Sequence, residues 1–167
     1  DTDMNNQLKN GTNIFFENKT INADLNFTSL LQPVVESNGI NRCYINSAIT
    51  FKQCTFKGKL TGYVTDESGK STMTYFQKSV AFIDCIFEDD VNLRGAIFSA
   101  PANFQGCSFV KKADFQESHF YTDAFFNETK YREEAYFQNA VFAKKIIFMN
   151  SRFESNVYFQ NATFYFD

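Results

Sequence analysis

Residues 102–120 have the sequence ANFQGCSFVKKADFQESHF, in which the Phe residues lie five, six and five positions apart. The same alternation of gaps extends through the second half of the chain, with Leu93 and Tyr131 in two places otherwise held by Phe. It defines two series of aromatic positions, each with a period of eleven: 82, 93, 104, 115, 126, 137, 148 and 159, and 87, 98, 109, 120, 131, 142, 153 and 164. A repeated structural unit is therefore expected.

A small or β-branched residue stands two positions before nearly every one of these aromatic residues, as Ala102 does before Phe104. Residues two positions apart lie on the same side of an extended strand. A helix would instead need apolar residues three and four positions apart. The period therefore predicts short strands joined by tight corners, with both residues of each pair pointing inward. Such strands would stack in parallel about 4.8 Å apart along a right-handed path.

Several five-residue segments share a more specific signature, in which Ala is followed by Asp or Asn and then by Leu or Phe. The segments 102–106, 113–117 and 23–27 carry it as ANFQG, ADFQE and ADLNF. From about Ala23 onward the chain thus resembles the pentapeptide-repeat family, in a Phe-rich form with an eleven-residue double unit. The resemblance implies an all-β fold, a right-handed quadrilateral parallel β-helix of about seven coils. It implies little about function, because members of the family differ widely in role.

The period divides the single β-solenoid domain of residues 1–167 into four parts. Residues 1–20 are predicted to form an N-terminal cap, and residues 21–56 the first coils. Residues 57–75 are predicted to be a β-hairpin insertion, because they separate Phe56 from Phe76 by more than the period needs. Residues 76–167 are the regular coils.

Two of these parts have more detailed signals. Within the cap, an acidic start at Asp3 and a stop at Gly11 predict a short helix. Among the first coils, four apolar residues five positions apart are expected to build the first complete coil: Leu25, Leu30, Val35 and Ile40. Within the insertion, strand-forming residues flank a turn at Gly69, which is typical of a hairpin.

The composition excludes several classes of protein. The chain has 22 Phe among 167 residues, 44% hydrophobic residues and a net charge of −3. It can therefore bury a core, and it lacks the excess of Lys and Arg that a nucleic-acid partner would require. Apolar runs such as 146–149 are too short to cross a bilayer, so no membrane insertion is expected.

An extracytoplasmic location, secreted or periplasmic, is expected on two grounds. The sequence begins at Asp1 without an initiator Met, as a processed form would. The Phe-rich core, the early insertion and the entry segment 21–28 also resemble exported bacterial members of the family.

Four Cys residues, at positions 43, 54, 85 and 107, lack C-x-x-C spacing, and the chain has one His, so no metal site is expected. Assignment to faces places Cys54, Cys85 and Cys107 in one inward column and Cys43 on the opposite face. A disulfide or redox ladder is one interpretation of this column. The other, favoured here, treats Cys as a small apolar core residue that replaces Ala, Ser or Thr.

Residues with catalytic potential are few. The long corners alternate in charge from coil to coil, with acidic residues at 88–90, Lys at 111–112 and Glu at 133–134. This pattern indicates a stack of surface ion pairs rather than a catalytic carboxylate pair. His119 is predicted to be a solvated outward residue without triad partners. We therefore expect no enzyme, and no catalytic, metal-binding or cofactor-binding residues.

One outward column changes character along the chain. The position before each residue of the first aromatic series holds Asn or Asp in early coils, whereas later coils have Phe125, Tyr136, Ile147 and Tyr158. Phe125 and Ile147 are predicted to stack on one face, and Tyr136 and Tyr158 on the opposite face. Together with Tyr165 and Phe166 they form a candidate interaction surface. Its partner would be an unknown protein, or a second copy that pairs through the C-terminal coils.

Three functions are open at this point. The favoured one is a non-enzymatic structural or protein–protein interaction module. The family resemblance also implies a DNA-mimicking topoisomerase-binding protein, but its acidic surface would be interrupted here by Lys at positions 111, 112, 144 and 145. A polysaccharide-acting β-helix enzyme is the third, and it would need a groove lined by carboxylates.

Overall fold

The computed structural model describes residues 2–165, which form a right-handed parallel β-helix preceded by one helix. Helix α1 spans Thr2–Lys9, with Asp3 in its first turn. Gly11 follows it with a φ of 70°, a left-handed conformation that favours glycine. The predicted cap helix, with its acidic start and glycine stop, is confirmed.

The strands run around six coils, and each coil contributes one strand to each of four faces, called A, B, C and D in chain order. Coil 1 consists of β1 (Ile14–Glu17), β2 (Thr20–Ile21), β3 (Leu25–Asn26), β4 (Val34–Val35) and β5 (Asn41–Ile45). Coil 2 consists of β6 (Ile49–Lys52), β7 (Thr55–Phe56), β8 (Leu60–Thr61), β9 (Tyr63–Thr65) and β10 (Ser71–Phe76). Strands β4 and β9 are the additional, antiparallel strands of face D.

The remaining four coils are regular. Coil 3 consists of β11 (Val80–Ile83), β12 (Ile86–Phe87), β13 (Val91–Asn92) and β14 (Ile97–Phe98). Coil 4 consists of β15 (Ala102–Asn103), β16 (Ser108–Phe109), β17 (Ala113–Asp114) and β18 (His119–Phe120). Coil 5 consists of β19 (Ala124–Phe125), β20 (Lys130–Tyr131), β21 (Ala135–Tyr136) and β22 (Val141–Phe142). Coil 6 consists of β23 (Ile146–Ile147), β24 (Arg152–Phe153), β25 (Val157–Tyr158) and β26 (Thr163–Phe164).

Pairing between the coils is parallel and in register. In the regular part each residue pairs with the residue 22 positions further along, as Ala102 does with Ala124 and Ser108 with Lys130. One regular coil is therefore 22 residues long, which is two of the eleven-residue units. The six coils compare with about seven expected from the repeat.

The segment between β3 and β5 corrects the prediction of a first complete coil from Leu25 to Ile40. Residues Phe27–Ser29 form a 3-10 turn, and β4 then pairs antiparallel with β5, which leaves Val34 and Val35 exposed. The physical reason is a tight turn, in which Glu36 donates its N–H to Ile40 and Gly39 adopts a φ of 83°. The predicted cap of residues 1–20 is also too long, because β1 already pairs in parallel with β6.

The segment between β8 and β10 contains the β-hairpin that the sequence predicts. Strand β9 pairs antiparallel with the first half of β10. The carboxylate of Asp66 closes the turn by accepting the N–H groups of Ser68 and Lys70, at 2.9 Å each. Both irregular segments leave the solenoid at the same corner, between faces C and D, in consecutive coils.

The interior is filled by four columns of rings, one behind each face. In face A, Phe82, Phe104 and Phe126 stack with centroids 5.6 and 5.0 Å apart. Neighbouring columns meet edge to face, as Phe115 and Phe126 do at 5.3 Å. The small residues of the repeat, such as Ala102, are completely buried beside the rings. Both geometries are the favoured ones for aromatic pairs, so the periodic Phe residues are the core.

The short corners of the coil require a left-handed residue every eleven positions. Asp84, Gly95, Gly106 and Glu117 have φ values of 52°, 63°, 70° and 58°. At one such corner the N–H of Cys107 donates to the carbonyl of Phe104, which closes a turn with its left-handed residue third. A Cβ at position 106 would overlap the Asp84 carboxylate of the coil below, so a larger residue there would require that side chain to move.

The inward and outward assignment can be tested with two neighbouring residues. Phe115 is completely buried, and its ring stacks on Phe137 at 5.2 Å, whereas Gln116 is half-buried. Phe115→Ala is expected to lower the free energy of unfolding by about 3–5 kcal/mol, because it leaves a cavity. Gln116→Ala is expected to lower it by less than about 1 kcal/mol. Chemical denaturation measures both, and equal losses would contradict the assignment.

Tyr131 provides a second test, because it occupies a Phe position of the core. Its ring stacks between Phe109 and Phe153 at 4.9 and 4.7 Å, and its buried hydroxyl makes no well-formed hydrogen bond. Tyr131→Phe is therefore expected to raise the free energy of unfolding by about 1–3 kcal/mol in chemical denaturation. Tyr136→Phe, an outward control, is expected to change it by less than about 0.5 kcal/mol. A loss of stability in Tyr131→Phe would show that the hydroxyl is satisfied.

Candidate functional site

The outward aromatic column lies where the sequence places it. Phe125 and Ile147 pair side by side in face A, and Tyr136 and Tyr158 pair in the opposite face C. The two phenol rings stack with centroids 5.2 Å apart and planes within 8° of parallel. All four side chains are half-buried, so they present a partly apolar surface on two sides of coils 5 and 6.

Tyr136 also forms one wall of a small pocket in face C. The pocket has a volume of about 120 Å³ and lies where this ring follows the smaller Asn92 and Asp114 in the same outward column. Burial raises the pKa of the Asp114 carboxyl, although that group accepts the N–H of Gln116 at 2.9 Å. The volume is below the usual range for a cofactor site and is closer to that of a single side chain of a partner.

Coil 6 exposes more apolar surface than the coils below it. Phe137 and Phe142 of coil 5 are buried, whereas Phe159 of coil 6 is half-buried and Phe164 is 40% exposed. Tyr165 follows with 61% of its surface exposed. Phe166, the last residue of the candidate interaction surface, lies outside the described residues.

Face D carries a groove of about 350 Å³ that the sequence did not lead us to expect. We call it the face D groove. Its lining comes from the turn between β4 and β5, from the strands and corners of coils 1 to 3, and from coil 4: Glu36, Asn38, Ile40, Arg42, Met73, Gly95, Ile97, Glu117, His119 and Tyr121.

Arg42 and Glu36 form a partly buried ion pair at one side of the groove. Arg42 is 7% exposed, its Nη1 donates to the carbonyl of Gly95 at 2.9 Å, and its Nε lies 3.2 Å from Glu36 Oε1. The same carboxylate oxygen accepts the hydroxyl of Tyr44 at 2.8 Å. Burial opposes ionisation of Glu36, but the hydrogen bond from Tyr44 and the charge of Arg42 outweigh it and lower the pKa of Glu36. Glu36 is therefore a carboxylate at neutral pH.

A second ion pair and the single His lie toward coil 4. Glu117 Oε1 accepts Arg94 Nη2 at 2.8 Å, and the Arg94 guanidinium lies 5.4 Å from the ring centroid of Tyr63 on the hairpin. Burial and the charge of Arg42 lower the pKa of His119, so its ring is neutral at neutral pH. The prediction that His119 is solvated is wrong, because it is half-buried in the groove.

The groove is not predicted from the sequence, because the apolar residues of segment 27–40 keep the five-residue spacing of a regular coil. If that segment formed a regular coil, it would not cover face D. The signal in the sequence is the charged Arg42 directly before the inward Cys43. A charged side chain is rarely buried without a partner, so Arg42 pointed to a covering segment.

The four Cys residues behave as core residues. Cys54, Cys85 and Cys107 lie in one column before the strands of face B, Cys43 lies in face D, and all are buried and free. Cys107 donates to the carbonyl of Phe82 at 3.0 Å. Burial raises the pKa values of Cys43, Cys54 and Cys107, which favours the neutral thiol.

One ion pair joins two of the predicted corners, since Lys111 Nζ lies 3.1 Å from Glu133 Oε1. A second pair joins Lys130 of strand β20 to the next corner, with its Nζ 3.1 Å from Glu154 Oε1. Within residues 2–165, no three His, Cys, Asp or Glu side chains come close enough to hold a metal ion. The same part of the chain has no helix that is long and apolar enough to span a bilayer.

Thiol titration tests the environment of the Cys column. The buried thiols of Cys43, Cys54 and Cys107 are expected to react slowly with a disulfide reagent in the native protein, because their raised pKa values disfavour the reactive thiolate. In the denatured, unreduced protein all four thiols are expected to react with the reagent in a single fast phase. Fewer than four after denaturation would support the disulfide ladder instead.

Comparison with known proteins bears on the repeat. Residues 82–130 match a family described as "Pentapeptide repeats (9 copies)". Among solved structures, a trypsin-treated variant of QnrB1, described as a plasmid-mediated fluoroquinolone resistance protein, aligns over 90% of this chain and 91% of its own. The identity is 14% and the TM-score 0.18, too low for the likeness to support any inference. No curated protein matches the chain. The matched residues lie in coils 3 to 5 of the four-faced parallel coil, and this part of the chain is similar to pentapeptide repeats.

Proposed function

We propose that the protein is a non-enzymatic interaction module and that its coils 5 and 6 bind a second copy of the chain. The observation that supports this most directly is the exposed apolar surface of coil 6. Phe164 is 40% exposed and Phe159 is half-buried, although the equivalent rings of coil 5, Phe142 and Phe137, are buried; the outward Tyr165 is 61% exposed. Complete burial of such a side chain contributes about 1.5–3 kcal/mol.

A second copy of the chain suits this surface because its own coil 6 would present strands and rings at the same spacing. Each of β23 to β26 stands at the end of its face and pairs on one side only, among the described residues. Rings in neighbouring coils stack about 5 Å apart, as Phe142 and Phe164 do at 5.1 Å. In a two-fold pair the same surface would be used by both copies. Tyr158 and Ile147 would extend the contact on the two sides of coil 6.

The charge distribution gives less support to a DNA-mimicking protein. Such a mimic presents a continuous acidic surface, whereas Glu133 and Glu154 are neutralised by Lys111 and Lys130. Lys residues that alternate with these carboxylates along the surface favour a partner that is not recognised by negative charge.

A polysaccharide-cleaving enzyme is also less well supported. The face D groove does contain two carboxylates, but Glu36 pairs with Arg42 and Glu117 with Arg94. A general acid needs a raised pKa, and the pKa of Glu36 is lowered. The extracytoplasmic location stays a prediction.

Self-association can be tested with a matched pair of substitutions. Phe164→Lys places a charge on the surface of coil 6 and is expected to give a monomer. Phe15→Lys makes the same change in coil 1, where Phe15 is 63% exposed, and is expected to leave the dimer intact. Light scattering coupled to size-exclusion chromatography measures the mass over a range of concentrations. A wild-type monomer at every concentration, or a dimer of unchanged affinity in Phe164→Lys, would contradict the proposal.

A further inference from the structure

The face D groove is assembled by two irregular segments that leave the same corner of consecutive coils. The β4–β5 turn forms one wall, and Met73 of the hairpin strand β10 also lines the groove. Its volume of about 350 Å³ lies within the range of small-molecule sites, roughly 300–1,000 Å³. It is remote from coil 6, so what it binds is independent of the proposed self-association.

The charges in and around the groove balance. Glu36 is paired with Arg42, and Glu117 with Arg94. His119 adds no charge at neutral pH, because burial and the nearby Arg42 lower its pKa. An anionic ligand would meet two carboxylates, and a cationic ligand would meet Arg42. The electrostatics therefore favour a ligand without net charge.

Several polar groups that line the groove have no hydrogen-bond partner within residues 2–165. Arg42 is 7% exposed, and its Nε is buried without a hydrogen bond, 3.2 Å from Glu36 Oε1. Glu117 Oε2 is an acceptor, and both ring nitrogens of His119 and the hydroxyl of Tyr121 are available as well. A hydroxyl group donates and accepts at the same time, so a polyhydroxyl ligand can pair with all of them.

Apolar surface lies between these polar groups. Met73 and Ile97 line the floor, and the ring of Tyr121, 50% exposed, stands at the rim. The C–H face of a sugar ring packs on aromatic and aliphatic surface of this kind. Alternation of apolar surface with donors and acceptors matches a saccharide better than an apolar compound, which would leave the buried Arg42 donor unpaired.

The strands under the groove argue against a peptide ligand. An extended peptide binds most readily by adding a strand to a free sheet edge. In face D, β5, β10, β14 and β18 each pair with a strand on both sides. No main-chain edge is therefore offered to a peptide at this site.

We infer that the face D groove binds a neutral oligosaccharide, with one or two sugar units held by Arg42, Glu117 and His119 and packed on Tyr121. The inference concerns binding alone and includes no cleavage step. It assigns a role to the two irregular segments, which the regular coil does not require.

Calorimetric titration with four neutral probes tests the inference: cellopentaose, xylopentaose, maltopentaose and chitopentaose. Wild-type protein is expected to bind at least one of them. Tyr121→Ala is expected to weaken that binding about tenfold, and Glu117→Gln to weaken it less, because the amide oxygen still accepts a hydrogen bond. Phe15→Ala is the control, since Phe15 is a 63% exposed aromatic residue that does not line the groove, and the affinity of this variant is expected to equal that of the wild type.

Circular dichroism and thermal unfolding establish that each variant is folded. Three results would overturn the inference: no binding of any neutral probe by the folded wild type, equal affinity in wild type and Tyr121→Ala, or binding of oligogalacturonate or of a short peptide in preference to every neutral probe. A loss of dimer in Phe164→Lys leaves the titration unaffected, so failure of one proposal is distinguishable from failure of the other.

Discussion

Backbone hydrogen bonds that run from coil to coil hold this molecule in a single register. On face A, Ala102 donates to Asp123 and Phe104 to Phe125 in the next coil, whereas on face B Ser108 donates to Cys85 in the preceding coil. Because these bonds join adjacent coils, residues at the same position in adjacent coils lie about 4.8 Å apart. Ring columns, Cys columns and corner ion pairs are all consequences of that spacing. A shift of the register by one position would turn the rings outward.

The regular part of the fold was predictable because one physical signal repeats many times. Eleven-residue spacing of Phe, with a small residue two positions earlier, gave the four faces, the inward columns and the pairing of Tyr136 with Tyr158. The segment from Phe27 to Ile40 was not predictable in this way. Its Leu and Val residues are spaced five positions apart, as in a regular coil. The turn around Gly39 instead places β4 antiparallel to β5.

The candidate sites follow the same division. The outward aromatic residues could be identified from the sequence, since a departure from Asn and Asp is visible against a repeated background. The face D groove could not, because it depends on contacts over long separations, such as the bond from Arg42 to the carbonyl of Gly95. Such contacts arise only where two irregular segments meet above the same face.

Both irregular segments replace the short corner between faces C and D, and this has a consequence for how such a molecule can acquire binding sites. Each successive coil lies one step further along the axis of the solenoid. Extra residues inserted at the same corner of neighbouring coils therefore lie next to one another. A site can therefore be enlarged by lengthening the next corner in line, without altering any core contact. The regular coils act as a scaffold with a fixed spacing. That spacing, rather than any special sequence, brings the inserted segments of neighbouring coils together.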